Sequence, residues 1–529
     1  MPVWHKIDAS SRHRIPADAA MPIPTALYTV SEIREIEQAN LAALPPGTLM
    51  QRAGMAAAQL ALDLLATSPA DARVLAVAGP GNNGGDAIEA ARVLAEHGLD
   101  VTVLLCADAF RLPEDARKAL ERARNSPIEF IDTAGAAFDT RGQWDLVLDG
   151  LFGIGLVRPI AGLHRDLVTA INSLPCPVLA LDVPSGLDAD TGAIVGDGVA
   201  VRATHTVTFI ANKPGLHTLY GRDYAGQVYV ASLDIDENHF KPARTQLASI
   251  ESFSSFLRKR PHNSHKGSYG DVIIAGGARG MSGAAILAAR SAAKCGAGRV
   301  FAAFIGDPPA YDGIQPELMC RAASAMDFSS GTIVTGPGMG MSRDAHDVLA
   351  KILHTKNPVV LDADALNLIA SESGLQTMLA ARAAPTVMTP HPLEAARLLD
   401  ASTKEVQSDR LKAARELAAR FHAVVILKGS GSVIADPDGD AMINTTGNAA
   451  LATAGTGDVL AGICGALLAQ NFPAWNAALA ATWLHGQAAD VLVREGTGPI
   501  GLTASELIPV VRTLLNQLTE QHAGRHAAH

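Results

Sequence analysis

The sequence predicts two α/β domains in tandem, each a parallel sheet covered by helices. Three observations carry that prediction. Hydrophobic residues make up 48% of the chain and aromatics only 4%, so the cores are built from Ala, Val, Leu and Ile, as helix-covered parallel sheets are. Short apolar runs ending in Gly or Asp alternate with helical stretches, the rhythm of repeated βαβ units. At 529 residues the chain is also too long for a single hydrophobic core, which favours two large domains.

Residues 1–24 contain four prolines and scattered charge, with no apolar centre like that of a secretion signal, and are expected to form a mobile tail. No apolar run reaches the roughly 18 residues a membrane span needs, so no membrane partner is expected. A formal charge of -10 and a pI near 5.9 argue against a nucleic-acid surface, which clusters Lys and Arg. Small-molecule partners are expected instead. Cys106, Cys176, Cys295, Cys320 and Cys464 form no C-x-x-C pair and read as buried thiols of a reducing cytoplasm.

Apolar positions recur at helical spacing over residues 30–65, with Ser31 ahead of Arg34 and Glu35 predicting the helix start. Residues 74–78 then read as a buried strand running into Gly79-Pro80-Gly81-Asn82-Asn83-Gly84-Gly85-Asp86 and a helix. Strands are predicted again over 101–105, 145–149 and 178–182, the last two ending in Asp149 and Asp182. Ligands of such sheets sit beyond the carboxyl ends of the strands, so these three segments converge. Polar residues 234–268 interrupt the pattern. It restarts with strands over 271–277, 331–340, 359–364, 387–391 and 424–428. The predicted division is a first domain over 25–240, a linker over 241–265, a second domain over 266–515 and a polar tail over 516–529.

A glycine loop alone often serves only tight geometry. Residues 79–86 are more unusual, with four glycines and adjacent asparagines that turn backbone N–H groups toward an anion at a helix start. They lack both the Lys-Ser/Thr ending of a P-loop and the spacing of a dinucleotide fingerprint. Asp149-Gly150-Leu151-Phe152-Gly153-Ile154-Gly155-Leu156-Val157-Arg158-Pro159 adds a pliant backbone and one cation, suited to a diphosphate. Asp182-Val183-Pro184-Ser185-Gly186-Leu187 adds oxygens for a hard cation or a proton-transfer group. An Asp at a strand end is more often a cap or turn former, but three such segments together favour a site.

These segments, with Thr208-Phe209 and Lys213-Pro214-Gly215-Leu216, closely resemble the epimerase domain of the NAD(P)H-hydrate repair enzymes over most of residues 25–240. The resemblance implies a Rossmann-like fold that interconverts the R and S epimers of NADH and NADPH hydrated at ring carbon 6 (NADHX and NADPHX). It implies potassium held by Asn83, Asp149 and Ser185. It also implies substrate contacts from Asn82, Asn83, Gly84, Gly85, Asp86, Gly153, Ile154, Gly155, Leu156, Val157, Arg158, Pro159 and Asp182, with Asp182 as acid/base and Lys213 as its assistant. One departure is Ala87, where the family has glycine.

The second half carries the stronger signal, Asn444-Thr445-Thr446-Gly447-Asn448 followed by Ala454-Gly455-Thr456-Gly457-Asp458. A Gly-Thr-Gly loop opening an apolar helix makes a pocket for the charge of phosphoryl transfer, and Asp458 stands where it can deprotonate a hydroxyl. An Asp in a first turn is by itself ordinary dipole compensation. Here Gly276-Gly277, Gly336-Pro337-Gly338-Met339-Gly340, Asp362-Ala363-Asp364, Thr389-Pro390-His391-Pro392-Leu393-Glu394 and Lys428-Gly429-Ser430-Gly431 also punctuate strand ends.

With His265-Lys266-Gly267, these residues resemble the ADP- or ATP-dependent NAD(P)H-hydrate dehydratases of the ribokinase-like superfamily, over about residues 250–515. The resemblance implies nucleotide contacts from Lys428, Gly429, Ser430, Gly431, Ser432 and Gly457, and hydrate contacts from Ala284, Gly338, His391 and Asp458, with Asp458 as base. It implies ADP as co-substrate, magnesium on the phosphates with Asp362, Asp364 and Glu394 as candidate partners, and a homo-oligomer. Two readings compete. A ribokinase-like small-molecule kinase would accumulate a phosphorylated product, and a decayed first half would be only a binding or oligomerisation module.

Overall fold

The computed structural model describes residues 25–41, 44–66, 68, 72–132 and 143–526; the expected tail over residues 1–24 lies outside them. The described residues open with a two-residue strand, β1 (Ala26–Leu27). It then lays down β2 (Arg73–Ala78), β3 (Asp100–Leu105), β4 (Ile128–Asp132), β5 (Leu146–Gly150), β6 (Val178–Leu181), β7 (His205–Phe209) and β8 (Gln227–Ala231). These seven form one sheet in the order β4-β3-β2-β5-β6-β7-β8, parallel throughout. The order reverses between β2 and β5, so the loops after those two strands flank the switch point where ligands of open α/β sheets bind.

The second sheet contains β9 (Thr245–Leu247), β10 (Asp271–Gly276), β11 (Arg299–Phe304), β12 (Met319–Ala322), β13 (Thr332–Thr335), β14 (Val359–Leu361), β15 (Thr386–Met388), β16 (Val424–Leu427), β17 (Ser432–Ala435) and β18 (Ala441–Asn444). With β1 its order is β1-β9-β18-β17-β16-β15-β14-β13-β10-β11-β12. Strands from β12 to β16 are parallel, while β17 and β18 add an antiparallel extension. Its switch point lies between β10 and β13, where residues 276–277 and 336–340 meet.

Both sheets bury apolar side chains on two faces, as the composition requires. Small residues let helices close in. A Cβ at Gly462 of the helix Thr456–Ala469 would lie 2.1 Å from the Ala288 carbonyl of the helix Ser282–Lys294, so only glycine permits that approach. Among the described residues no helix is long and apolar enough to cross a membrane.

Several local expectations change. The helical stretch over 30–65 is two helices, Val30–Leu41 and Thr48–Leu64, parted by Pro45-Pro46-Gly47. Proline offers no N–H to continue a helix, and Gly47 takes φ +78. The first helix is capped by Thr29 rather than Ser31: the Glu32 carboxylate accepts from the Thr29 N–H at 2.7 Å, and the Glu32 N–H donates to Thr29 Oγ1 at 3.4 Å. The stretch expected as a linker contains β9, which pairs with β1, so residues 26–27, ahead of the first sheet, belong to the second. The stretch expected as a polar tail continues the helix Ala504–His526. None of the five cysteines is in a disulfide; three are buried and two half-buried.

Candidate functional sites

The helix Asn82–Glu96 starts directly after β2, with Gly81 at its N-cap, and faces a cleft of about 850 Å³. Asn82, Asn83, Asp86, residues 153–159 and Asp182 line this cleft. Gly84 and Gly85 do not. A Cβ on Gly84 would meet the Gly79 carbonyl at 2.0 Å, and one on Gly85 would meet Met50 Sδ at 2.5 Å, so they let the helix start seat against its own loop. The departure at Ala87 is absorbed there too: its buried methyl sits where a Cβ on Gly150 would fall, 2.4 Å away.

Asp182 holds φ +67, a strained conformation for a residue with a side chain. Its carboxylate is fixed from behind by Lys213, whose Nζ is 2.8 Å from Oδ1. Lys213 is fully buried and also donates to Thr208 Oγ1 at 2.6 Å and to the Phe209 carbonyl at 3.0 Å. A buried ammonium with oxygens on several sides is satisfied, and the pair keeps one orientation. The Ile154 N–H approaches Asp182 Oδ2 at 3.4 Å, tying the glycine segment to the carboxylate.

Beneath the cleft floor lies a second acid, Asp149, fully buried. Ser185 Oγ donates to its Oδ1 at 2.6 Å, the Ser185 N–H donates to Oδ2 at 2.8 Å, and the Leu151 N–H donates at 3.3 Å. Burial outweighs those donors and pushes its pKa up to about 6. Asn83 is buried nearby with neither Oδ1 nor Nδ2 hydrogen-bonded, a costly state unless a ligand satisfies it. Asp86 is held well above the usual carboxylate range, by burial first and then by Asp182, Glu37 and Glu89. Glu37 is raised by burial and by Asp182. Glu37 lines the cleft yet sequence reasoning missed it, since nothing local sets it apart from the other charges of its helix.

In the second half the loops after β10, β13, β14, β15 and β16 converge. Lys428, just beyond β16, donates to Asp362 Oδ1 at 2.8 Å, and Thr389 Oγ1 donates to the same oxygen at 2.6 Å. Burial opposes the charge on Lys428, but Asp362 and Glu394 hold its pKa above the ordinary value. The Gly340 N–H donates to Asp364 Oδ2 at 2.8 Å. Gly457 stands beside the lysine, a Cβ there falling 3.4 Å from Lys428 Nζ, and Gly338 stands beside Ala284 at 3.1 Å by the same measure.

Asp458 lies in the first turn of the helix Thr456–Ala469. Its pKa is pushed up to about 7, by burial first and then by Asp362 and Asp364, with Lys428 opposing. Such a carboxylate exchanges protons near neutrality. His391 is the N-cap of the helix Pro392–Leu399: its Nδ1 accepts from the Leu393 N–H at 3.0 Å and the Glu394 N–H at 3.2 Å. Nε2 lies 3.3 Å from Glu394 Oε1, and burial with Lys428 nearby lowers the ring's pKa. The sequence also missed Arg410, almost wholly buried, which donates to the Leu427 and Lys428 carbonyls.

Comparison with known proteins matches both halves. Residues 272–511 match the NAD(P)H-hydrate dehydratase family, and residues 46–215 match the family described as YjeF-related protein N-terminus. The chain is 38% identical to the bifunctional NAD(P)H-hydrate repair enzyme Nnr of Coxiella burnetii, covering 93% of this chain and 100% of that protein. It is 37% identical to the Escherichia coli enzyme of the same name, covering 93% and 95%. The second half is similar to a crystal structure of the ADP/ATP-dependent NAD(P)H-hydrate dehydratase of Bacillus subtilis, at 30% identity and a TM-score of 0.46, covering 51% of this chain and 98% of that one. With relatives matched over 95% or more of their own length and both halves recognised, the chain belongs to the family of bifunctional NAD(P)H-hydrate repair enzymes.

Proposed function

We propose that the two halves divide the repair of hydrated NADH and NADPH between them. The first, over about residues 25–240, interconverts the R and S epimers; the second, over about 266–515, uses ADP to return the S epimer to the reduced nucleotide, with AMP and phosphate released. The observation that carries this reading is the contrast between two carboxylates: Asp182 is paired with buried Lys213, while Asp458 is raised to about 7 among other acids.

Ring carbon 6 of the hydrate bears both a hydroxyl and the ring nitrogen, so its configuration changes without redox chemistry when the carbon–nitrogen bond opens to an aldehyde and recloses on the other face. Asp182 takes the hydroxyl proton as that bond breaks and delivers it to the ring nitrogen, the reverse transfer accompanying closure, and Lys213 holds its carboxylate toward the cleft. Asn82, Asn83, Asp86 and residues 153–159 bind the nucleotide along the cleft wall. Asn83, Asp149 and Ser185 fit a potassium ion: a buried carboxylate, a hydroxyl and an unpartnered amide are hard oxygen donors. Potassium there would neutralise Asp149 and anchor the loop that carries the substrate contacts.

In the second half Asp458 removes the proton of the S epimer's hydroxyl, which attacks the terminal phosphoryl group of ADP. The ring nitrogen's electron pair then expels phosphate, and loss of the neighbouring ring proton restores the dihydropyridine. Residues 428–432 and Gly457 bind the nucleotide; Ala284, Gly338 and His391 Nε2 bind the hydrate. Among the described residues no cluster of three or more His, Cys, Asp or Glu forms a ready metal cage. That fits magnesium held chiefly by phosphates and water, with Asp364 or Glu394 completing its shell. Magnesium would neutralise the phosphate charge.

The test follows absorbance of the reduced nicotinamide as protein acts on mixed R and S hydrates with ADP, magnesium and potassium. Recovery of both epimers is expected. Recovery of the S fraction alone would reduce the first half to a binding module, and a phosphorylated product without NADH would mean a kinase.

A further inference from the structure

The turn between β16 and β17, residues 428–431, is gripped from outside by the other half of the chain. Thr218, 1% exposed, lies five residues beyond Lys213. Its hydroxyl donates to the Gly431 carbonyl at 3.0 Å and approaches the Ser430 carbonyl at 3.2 Å, and the Leu219 N–H donates to Ser430 O at 2.9 Å. Arg410 Nε donates to Thr218 Oγ1 at 3.2 Å, while its Nη2 reaches the Leu427 and Lys428 carbonyls at 3.1 and 3.3 Å. Gly431 has φ +63, and a Cβ there would lie 2.1 Å from the His217 carbonyl, so glycine is needed for the two halves to meet.

A second grip lies alongside. Arg222 Nη2 donates to the Thr445 carbonyl at 2.7 Å and the Gly447 carbonyl at 3.0 Å, holding the segment that leads into the Gly-Thr-Gly loop. The gripping segment is itself rigid: Asn212 Oδ1 accepts from the Lys213 N–H at 2.9 Å and lies 2.7 Å from His217 Nε2. Peptide planarity gives the grip a consequence. With the carbonyls of Ser430 and Gly431 turned toward the first half, the N–H groups of Gly431 and Ser432 point away from it.

We infer that Thr218 and Arg222, residues of the first half, are positioning residues for the nucleotide loop of the second. Neither reaches the reacting atoms. Thr218 fixes the carbonyl side of the turn and Arg222 fixes residues 445–447, which lead to Gly457 at the same nucleotide site, so the turn's N–H side, Lys428 and Gly457 are set before the nucleotide arrives, which lowers the ordering cost of binding. The inference rests on residues 428–432 being the nucleotide loop, as proposed above.

The experiment measures the KM for ADP and kcat of dehydration, with epimerisation assayed separately, in the full chain and in Thr218→Val, Thr218→Ser, Arg222→Ala and Lys428→Ala. Loss of one net hydrogen bond corresponds to about a fivefold change. Thr218→Val and Arg222→Ala are therefore expected to raise the KM for ADP about five- to tenfold, with kcat within about twofold and epimerisation intact. Thr218→Ser, which keeps the hydroxyl, should restore the KM. If Thr218→Val does not fold, Arg222→Ala carries the same test. An unchanged KM for ADP in the folded variants, or a fall in kcat with that KM unmoved, overturns the inference provided Lys428→Ala weakens ADP. If Lys428→Ala leaves the KM for ADP unchanged, it is the assignment of the nucleotide loop that fails.

Discussion

Asp182 and Asp458 both face the carboxyl ends of a parallel sheet, yet they are surrounded differently. Asp182 has an ammonium at 2.8 Å and backbone N–H groups at its two oxygens. Asp458 has other carboxylates in range, and the lysine near it is taken up by Asp362. An ion-paired carboxylate is held in one place and orientation; a carboxylate crowded by acids is free to trade its proton near neutrality. The first arrangement suits repeated, symmetric proton movement between two epimers. The second suits one deprotonation timed to phosphoryl transfer. On the proposed assignment, one architecture serves two chemistries through the partner each acid is given.

The largest effect that can break this comparison is a double dissociation. Asp458→Asn is expected to lower dehydration by about 10²–10⁴ with epimerisation retained, and Asp182→Asn to do the reverse, as loss of a general base does. Loss of both activities in either folded variant would mean that the sites are not independent. The pH profile sharpens the same contrast. With Asp458 raised to about 7, the working carboxylate is protonated below that pH. The kcat/KM for dehydration should therefore fall about tenfold per unit as pH drops below 7 and level off above it. A profile flat from pH 5 to 8 would remove Asp458 from the base's role.

How much of this was legible in the sequence follows from what each feature depends on. Strands such as β2, β5 and β14 were readable because a short apolar run closed by Gly or Asp is a local signal. The convergence of residues 79–86, 149–155 and 182–187 followed from parallel topology alone. The break at Pro45-Pro46-Gly47 was also local and was overridden by a helical period that continues on either side of it. β1 was not readable, since two residues form a strand only because β9 supplies the partner from more than two hundred positions away. Arg410 looks like any helix-surface arginine; its burial comes from carbonyls of β16 and a hydroxyl of the other half. His391 is expected from the resemblance as a hydrate contact, but nothing in the sequence shows that one ring nitrogen is spent on a cap usually made by Ser, Thr, Asn or Asp.

A smaller effect tests the proposed potassium site. If potassium sits with Asn83, Asp149 and Ser185, adding it should stabilise the protein by about 2–3 kcal/mol when well above its Kd, read as a rise of several degrees in Tm. An equal concentration of tetramethylammonium, too large for the site, should not. Asp149→Asn should abolish the difference and slow epimerisation while leaving ADP-dependent dehydration untouched. A potassium shift that survives in that variant would place the ion elsewhere.

The smallest expected effect distinguishes the ways the two halves touch. Lys404 and Asp197 form an ion pair between the halves at 2.8 Å, with side chains 79% and 80% exposed. Water and salt screen such a pair, and holding two long side chains in one geometry offsets most of what remains. Lys404→Ala should leave Tm, epimerisation and the KM for ADP unchanged, at low salt as well as physiological salt. Thr218 and Arg222 cross the same boundary where water is largely excluded and the carbonyls they hold have fewer alternatives. If Lys404→Ala instead raised the KM for ADP, and added salt did the same to the unmodified protein, the halves would be registered by surface charge, and the buried hydrogen bonds would be a consequence of that registration rather than its cause.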